Sequence, residues 1–186
     1  MRLISFSLLS FLVFSLSSGF GQESIKAIDC DGIERTLNEQ GLITVIIYSN
    51  AALQEWTRKA GTSVDPFHGN PLFRQMVVVD LRGTLASLAK GYTQRRMSRD
   101  LNTEAQRLIP YYREKGNPND PREDLVAIAD FDGELSKQLG WERASKEKRV
   151  LLFGRDGKVL KRWKSIEDLN ELVTTVQAQL EASSSP

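Results

Sequence analysis

Four side chains of this 186-residue chain stand out as candidates for chemistry. They are one thiol, Cys30, one imidazole, His68, and two hydroxyls, Tyr48 and Ser49, in the stretch "IIYSNAALQEW". A single cysteine allows no disulfide and no dithiol site within one chain. Cys30 stands beside an Asp-Gly turn with no predicted helix start near it, so its pKa is expected near about 8.5. It reads as a strand residue, with an intermolecular disulfide as the other role open to it. His68 lies in "DPFHGNP", with Asp65 the only carboxylate close in sequence. A metal site needs several ligands, so no metal and no cofactor is implied. General acid–base work by a lone histidine is chemically feasible, but a surface-loop histidine is the expected reading. Tyr48 and Ser49 could present hydroxyls to a ligand, and they serve equally well as a strand residue and a helix cap. Trp56, Trp141 and Trp163 are expected to pack, Trp56 having the alternative of an apolar docking patch. The run "QRRMSRD" (94–100) reads as a solvated helix face or as a site for an acidic partner.

The elements that would carry these groups alternate along the chain. "IKAIDCDGIERTL" has Asp-Gly flanked by alternating apolar residues, a hairpin signal. "LITVIIYS" is nearly continuous and β-branched, as a strand covered on both faces would be. Asn50 or Ser49 can cap a helix over about 51–60. "MVVVDLR" and "DLVAIAD" are two more buried strands. Between them a long helix is expected from about Thr84, with Leu85, Leu88, Tyr92, Met97, Leu101, Ala105, Leu108 and Tyr112 at helical spacing and Pro110 kinking or interrupting it. "GELSKQLGW" is a short helix ending at Gly140. "RVLLF", "GRDG" and "KVLKRW" form a closing hairpin. Ser165 with Asp168 resembles a capping box before a last helix lined by Ile166, Leu169, Leu172, Val176 and Leu180. Strands separated by helices require crossovers, hence parallel pairing of the first three core strands.

At the N-terminus, "MRLISFSLLSFLVFSLSSGFGQES" has a basic start, an apolar run and a small-residue exit. This is the pattern of a signal peptide (1–21), cleaved after Gly21; an uncleaved anchor is the alternative, although the run is short of the roughly 20 apolar residues a span requires. A single domain over 22–182 and a frayed tail over 183–186 complete the expected organisation. The 24 acidic and 25 basic residues nearly cancel, which gives no overall electrostatic footprint for nucleic acid or an anionic membrane.

The order of elements resembles the thioredoxin-like superfamily, particularly its peroxiredoxin and exported thiol–disulfide oxidoreductase branches. "DFDGELSKQLGW" is similar to the families' "D-x-D-G-x-x-(A/S)-x-x-(Y/L)-G-(V/W)", "VLLFGRDGKVLKRW" to "F-L-I-D-x-D-G-K-V", and "IKAIDCDGIERTL" to "L-x-D-x-D-G-x-x-x-x-L". The likeness spans Ser24 to Leu180. It implies an α/β, three-layer thioredoxin-like fold: a mixed central sheet, helices on both faces and an N-terminal β-hairpin. It also implies a reactive cysteine at the start of the helix after the first core strand, where the helix dipole and free amides favour thiolate. Here Ala52 to Trp56 read Ala, Leu, Gln, Glu and Trp. The families' cis-proline before the closing hairpin aligns with Lys148.

The expected function is therefore that of an exported (periplasmic or secreted), redox-inactive binding or assembly module for a protein or small-molecule ligand. Its degenerate active-site region would comprise Tyr48, Ser49, Asn50, Trp56 and Lys148, with no catalytic residue. The alternative is an enzyme, a peroxidase or reductase using Cys30 or a hydroxyl-based transferase using Tyr48 or Ser49, since hydroxyl-bearing thioredoxin folds activate a bound thiol there.

Overall fold

The computed structural model describes residues 23–141 and 146–184; the expected signal segment lies outside them. β3 (Ile43–Ser49), β4 (Phe73–Asp80) and β5 (Leu125–Asp130) are parallel, and β6 (Val150–Phe153) and β7 (Val159–Trp163) are antiparallel additions, in the sheet order β5-β4-β3-β6-β7. A separate hairpin, β1 (Lys26–Ile28) with β2 (Glu34–Thr36), turns at Asp31-Gly32, where Gly32 has φ +81°. Asp29 closes that turn: its Oδ1 accepts from the amides of Asp31 and Ile33 at 2.9 Å, and its Oδ2 accepts from Arg35 Nε at 2.7 Å.

β3 is buried along its whole length, which its unbroken β-branched sequence requires of a central strand covered on both faces. Its side chains alternate between two cores. Ile43, Val45 and Ile47 pack with α1 (Gln54–Ser63) and α5 (Leu169–Ser184) through Ala60, Leu172, Val176 and Leu180. Ile46 and Tyr48 pack on the opposite face with Leu135 of α4 (Glu134–Gln138), with Leu139 and Trp141, and with Ile25 and Ala27 at the hairpin. α2 (Lys90–Glu114) lays Ala105, Leu108 and Tyr112 on Leu125 of β5. A one-turn α3 (Pro121–Asp124) leads into β5. Helices thus cover both faces of a mixed sheet, as the sequence predicts.

Four local expectations need correction. α1 begins at Gln54, and neither Ser49 nor Asn50 caps it; Asn50 Oδ1 instead accepts from the Ala52 amide at 2.9 Å, forming a tight corner ahead of the helix. Asp168 alone starts α5, its Oδ1 accepting from the Asn170 amide at 2.9 Å, while Ser165 bonds Glu167. Pro110 sits inside an uninterrupted α2; it and Gln106, whose carbonyl loses its partner, are both exposed, so water can take the missing donor's place. The segment before α2 is a 3-10 turn (Leu85–Ala89), and Leu85, Leu88 and Tyr92 are not core residues but 83%, 84% and 63% exposed. They lie just past the end of β4, while the apolar residues α2 buries against the sheet begin further along, at Leu101 and Ala105.

Candidate functional site

The predicted site residues gather near the carboxyl end of β3, but on different faces. Tyr48 and Ser49 are consecutive on one strand, so their side chains point to opposite sides of the sheet. Tyr48 is fully buried, and its hydroxyl donates to Asp80 Oδ2 at 2.8 Å. Asn50 Nδ2 donates to the same Tyr48 oxygen at 3.3 Å. Asp80 is gripped in turn by Arg82, whose Nε reaches Oδ1 at 2.9 Å and whose Nη2 reaches Oδ2 at 2.7 Å. Trp141 meets the Tyr48 ring edge-on at 5.4 Å between centroids, and the Arg149 guanidinium lies 5.4 Å from the same ring. Burial acts to raise the Asp80 pKa, but the hydrogen bonds from Arg82 and Tyr48 together outweigh it and hold the carboxyl below its usual value. The group is therefore an anion at neutral pH with its lone pairs engaged, which makes it a structural clasp between β3 and β4.

Ser49 faces the other layer, where its Oγ accepts from Thr57 Oγ1 of α1 at 3.0 Å. Trp56 is half-buried and packs into the α1–α5 core, away from Asn50. Lys148 is turned toward the loop before α5: its carbonyl accepts from the Ile166 amide at 2.9 Å and its Nζ bonds Glu167 at 2.7 Å. No peptide bond among the described residues is cis. Of the five predicted residues, then, Tyr48 and Asn50 share a network, Ser49 lines the neighbouring layer, and Trp56 and Lys148 belong to packing and loop contacts. Asp80 and Arg82 complete the network and were missed. Their signal, an Asp-x-Arg following a buried strand, is weak by itself.

The corner that would carry a reactive cysteine exposes Ala51, Ala52, Gln54 and Glu55, none of them a thiol, and Leu53 is buried in the core beside Tyr48. Cys30 sits elsewhere, at the open edge of β5, where its amide donates to the Ala127 carbonyl at 2.9 Å. Its side chain is 7% exposed. Burial is the main influence on the thiol and the Asp31 carboxylate adds to it, so that despite Arg122 the pKa is pushed up to about 11. A thiol so placed is almost entirely protonated at neutral pH, and thiolate is the nucleophile.

His68 is not on the surface: it is 1% exposed. Its Nε2 lies 3.1 Å from Gln75 Oε1, Nδ1 has no partner, and the ring stands edge-on to Phe73 at 5.2 Å. Burial lowers its pKa against the opposing influence of Gln75 and Asp65. Asp65, also buried, is held by Arg107, whose Nη2 donates at 2.7 Å. The Gly-Pro-rich composition of the loop gave no sign that α2 would cover it. Among the described residues no three His, Cys, Asp or Glu side chains are grouped as metal ligands would be, and no helix is long and apolar enough to cross a membrane.

On the Ser49 side, a groove of about 530 Å³ opens between the start of α1, the end of β4 and the first turns of α2. Ser49, Thr84 and Thr93 line it together with Ala86, Ala89 and Tyr92. A shallower hollow of about 300 Å³ opens over Asn50, Asp80 and Arg82. Neither contains a thiol.

No family model and no curated protein matches the sequence. Solved structures do match in shape. The exposed lipoprotein thioredoxin Etrx1 of Streptococcus pneumoniae superposes with TM-score 0.52 at 12% identity, over 84% of this chain and 99% of that one. A thioredoxin-like protein of Aeropyrum pernix gives TM-score 0.51 at 14% identity, over 83% and 89%. Copper-bound ScoI of Arabidopsis thaliana gives 0.53 at 10% identity, over 86% and 98%. The fold is thioredoxin-like, and the residues at the site have to speak for the function. They define a thioredoxin-like domain with one cysteine and no Cys-x-x-Cys.

Proposed function

We propose that this chain is an exported, redox-inactive thioredoxin-like protein that works as a binding or assembly module. The observation that carries the reading is the pairing of a thiol-free β3–α1 corner with a sole thiol that is buried at the far edge of the sheet and raised to about 11. Thiol–disulfide exchange needs an accessible thiolate with a pKa near ambient pH, and Cys30 has neither the exposure nor the acidity. The same burial weighs against an intermolecular disulfide in the native state. A hydroxyl-based transferase at Tyr48 is disfavoured because that oxygen is fully buried and committed to Asp80. Export is supported by the signal-like N-terminus and by the surface-exposed, lipoprotein character named for one structural neighbour. Purified protein should give no insulin reduction, no peroxide consumption and no glutathione conjugation, alone or beside Cys30→Ser. Turnover lost in that variant would overturn the reading in favour of thiol chemistry; turnover that survives it would transfer the chemistry to Ser49 or Tyr48.

A further inference from the structure

The groove on the Ser49 side is bordered by an apolar surface that nothing in the fold covers. Leu85, Leu88 and Tyr92 are among the most exposed large apolar side chains of the described residues, and they belong to the same two turns whose Ala86, Ala89 and Tyr92 form the groove wall. Immediately after them α2 carries Arg95, Arg96 and Arg99, with Arg96 in the groove itself. Among the described residues these three guanidinium groups are in no ion pair, although most of the remaining arginines are. One carboxylate, Asp100, also lines the groove and offsets Arg96 there, so the positive balance of this face comes from Arg95 and Arg99 beside the groove. Exposed leucines beside a cationic cluster form a surface complementary to a partner that is both apolar and acidic.

We infer that this groove and its apolar rim dock an extended polypeptide segment that combines acidic residues with leucine or aromatic side chains, the apolar groups against Leu85, Leu88 and Tyr92 and the carboxylates against Arg95, Arg96 and Arg99. The inference rests on the binding-module reading and names its partner class. A small molecule filling the groove would leave Leu85 and Leu88 in water, whereas a polypeptide covers groove and rim together. The groove is concave, which suits an extended chain better than the flat face of a bilayer. Lys148 does not line this groove, so the docking face lies on the α2 side of the β3–α1 corner.

The test uses the full-length protein and fluorescently labelled twelve-residue peptides of three compositions: Glu/Leu/Phe, Glu/Ser and Lys/Leu. Fluorescence anisotropy should show saturable binding of the Glu/Leu/Phe peptide, at least tenfold weaker binding of the other two, and weakening in high salt. The charge-reversed variant R95E/R96E/R99E and the rim variant L85S/L88S should each lose at least tenfold in affinity. All five positions are helix-surface or exposed, and unchanged circular dichroism and melting would confirm that the variants are folded. Equal affinity in wild type and both variants overturns the assignment. So does binding to phosphatidylglycerol vesicles that charge reversal abolishes while no peptide binds, which would make the face a lipid contact. Self-association abolished by L85S/L88S without peptide binding would make it a contact between two copies, and also overturns it. Enzymatic turnover in the assays above would instead overturn the reading on which the inference rests, so the two failures are separable.

Discussion

Replacing Tyr48 by Phe removes one oxygen from the clasp and leaves the ring in place. That oxygen donates to Asp80 Oδ2 at 2.8 Å and accepts from Asn50, and both Tyr48 and the Asp80 carboxylate are almost wholly shielded from water. A hydrogen bond to a charged group contributes about 1.5–3 kcal/mol. Arg82 still satisfies part of the carboxylate, so Tyr48→Phe should cost about that amount and no more. For a chain of this size each kcal/mol moves the melting temperature by about 2–4 °C, which puts the loss at about 3–12 °C. The pH dependence separates this account from a packing defect. Asp80 has a depressed pKa in the folded protein, so its contribution is complete above the unfolded value of about 3.9 and is lost as pH falls through the folded value. Tyr48 supplies part of that depression, so the gap between wild type and variant should be largest at neutral pH and narrow below about pH 4, where a neutral bond contributes only about 0.5–1.5 kcal/mol. Urea melts from pH 7 down to pH 3 provide the measurement. A gap below about 0.5 kcal/mol at pH 7, or one that does not change with pH, would refute the clasp.

His68 has a folded pKa lowered chiefly by burial, so the unfolded chain takes up its proton first: stability should be complete above about pH 6.5 and fall as the pH drops below it, at up to about 1.4 kcal/mol per pH unit. His68→Leu should flatten that part of the urea-stability profile. Gly69 has φ +81°, and a Cβ there would stand 2.9 Å from Tyr112 Cα and 3.1 Å from the Tyr111 carbonyl; Gly69→Ala should cost clearly more than the about 1–2 kcal/mol of left-handed strain. Gly83→Ala, at φ +66° in open space, should cost only that strain, and equal losses in the two variants would contradict the crowding. With its thiol raised to about 11, Cys30 should react with iodoacetamide at pH 8 at least about a hundredfold more slowly in the native protein than in the unfolded chain, whose thiol sits near about 8.5.

The strands were legible because their signal is local. β3 reads as a two-sided core strand from "ITVIIYS" alone, and it is buried throughout; the parallel order followed from the helices placed between strands. What could not be read was the edge of the core. Leu85, Leu88 and Tyr92 have the same helical spacing as Leu101, Ala105 and Leu108, and periodicity reports a stripe without saying whether a sheet lies beneath it. His68 failed in the opposite sense: its flanking Gly and Pro describe a loop correctly, but the helix that buries it is tens of residues away in sequence. Tyr48 and Ser49 stand side by side in the sequence, yet the two-residue period of a strand divides them between a closed network and an open groove, and the partners that decide this, Asp80 and Thr57, come from other elements.

That division bears on where binding can occur. In the thioredoxin-like families this chain resembles, free amides at the helix start stabilise a thiolate. Here Asn50 Oδ1 occupies the Ala52 amide, the Asn50 carbonyl accepts from the Leu53 amide at 3.0 Å, and the Leu53 side chain is drawn into the core against Tyr48. Asn50 and Leu53 thus tie down the turn that leads into α1. The Tyr48 face of the corner is satisfied by its own side chains, whereas the α2 side carries exposed leucines and three guanidinium groups that, among the described residues, are in no ion pair. On the proposed reading, binding is therefore expected on the face where Ser49 points rather than on the face where Tyr48 does.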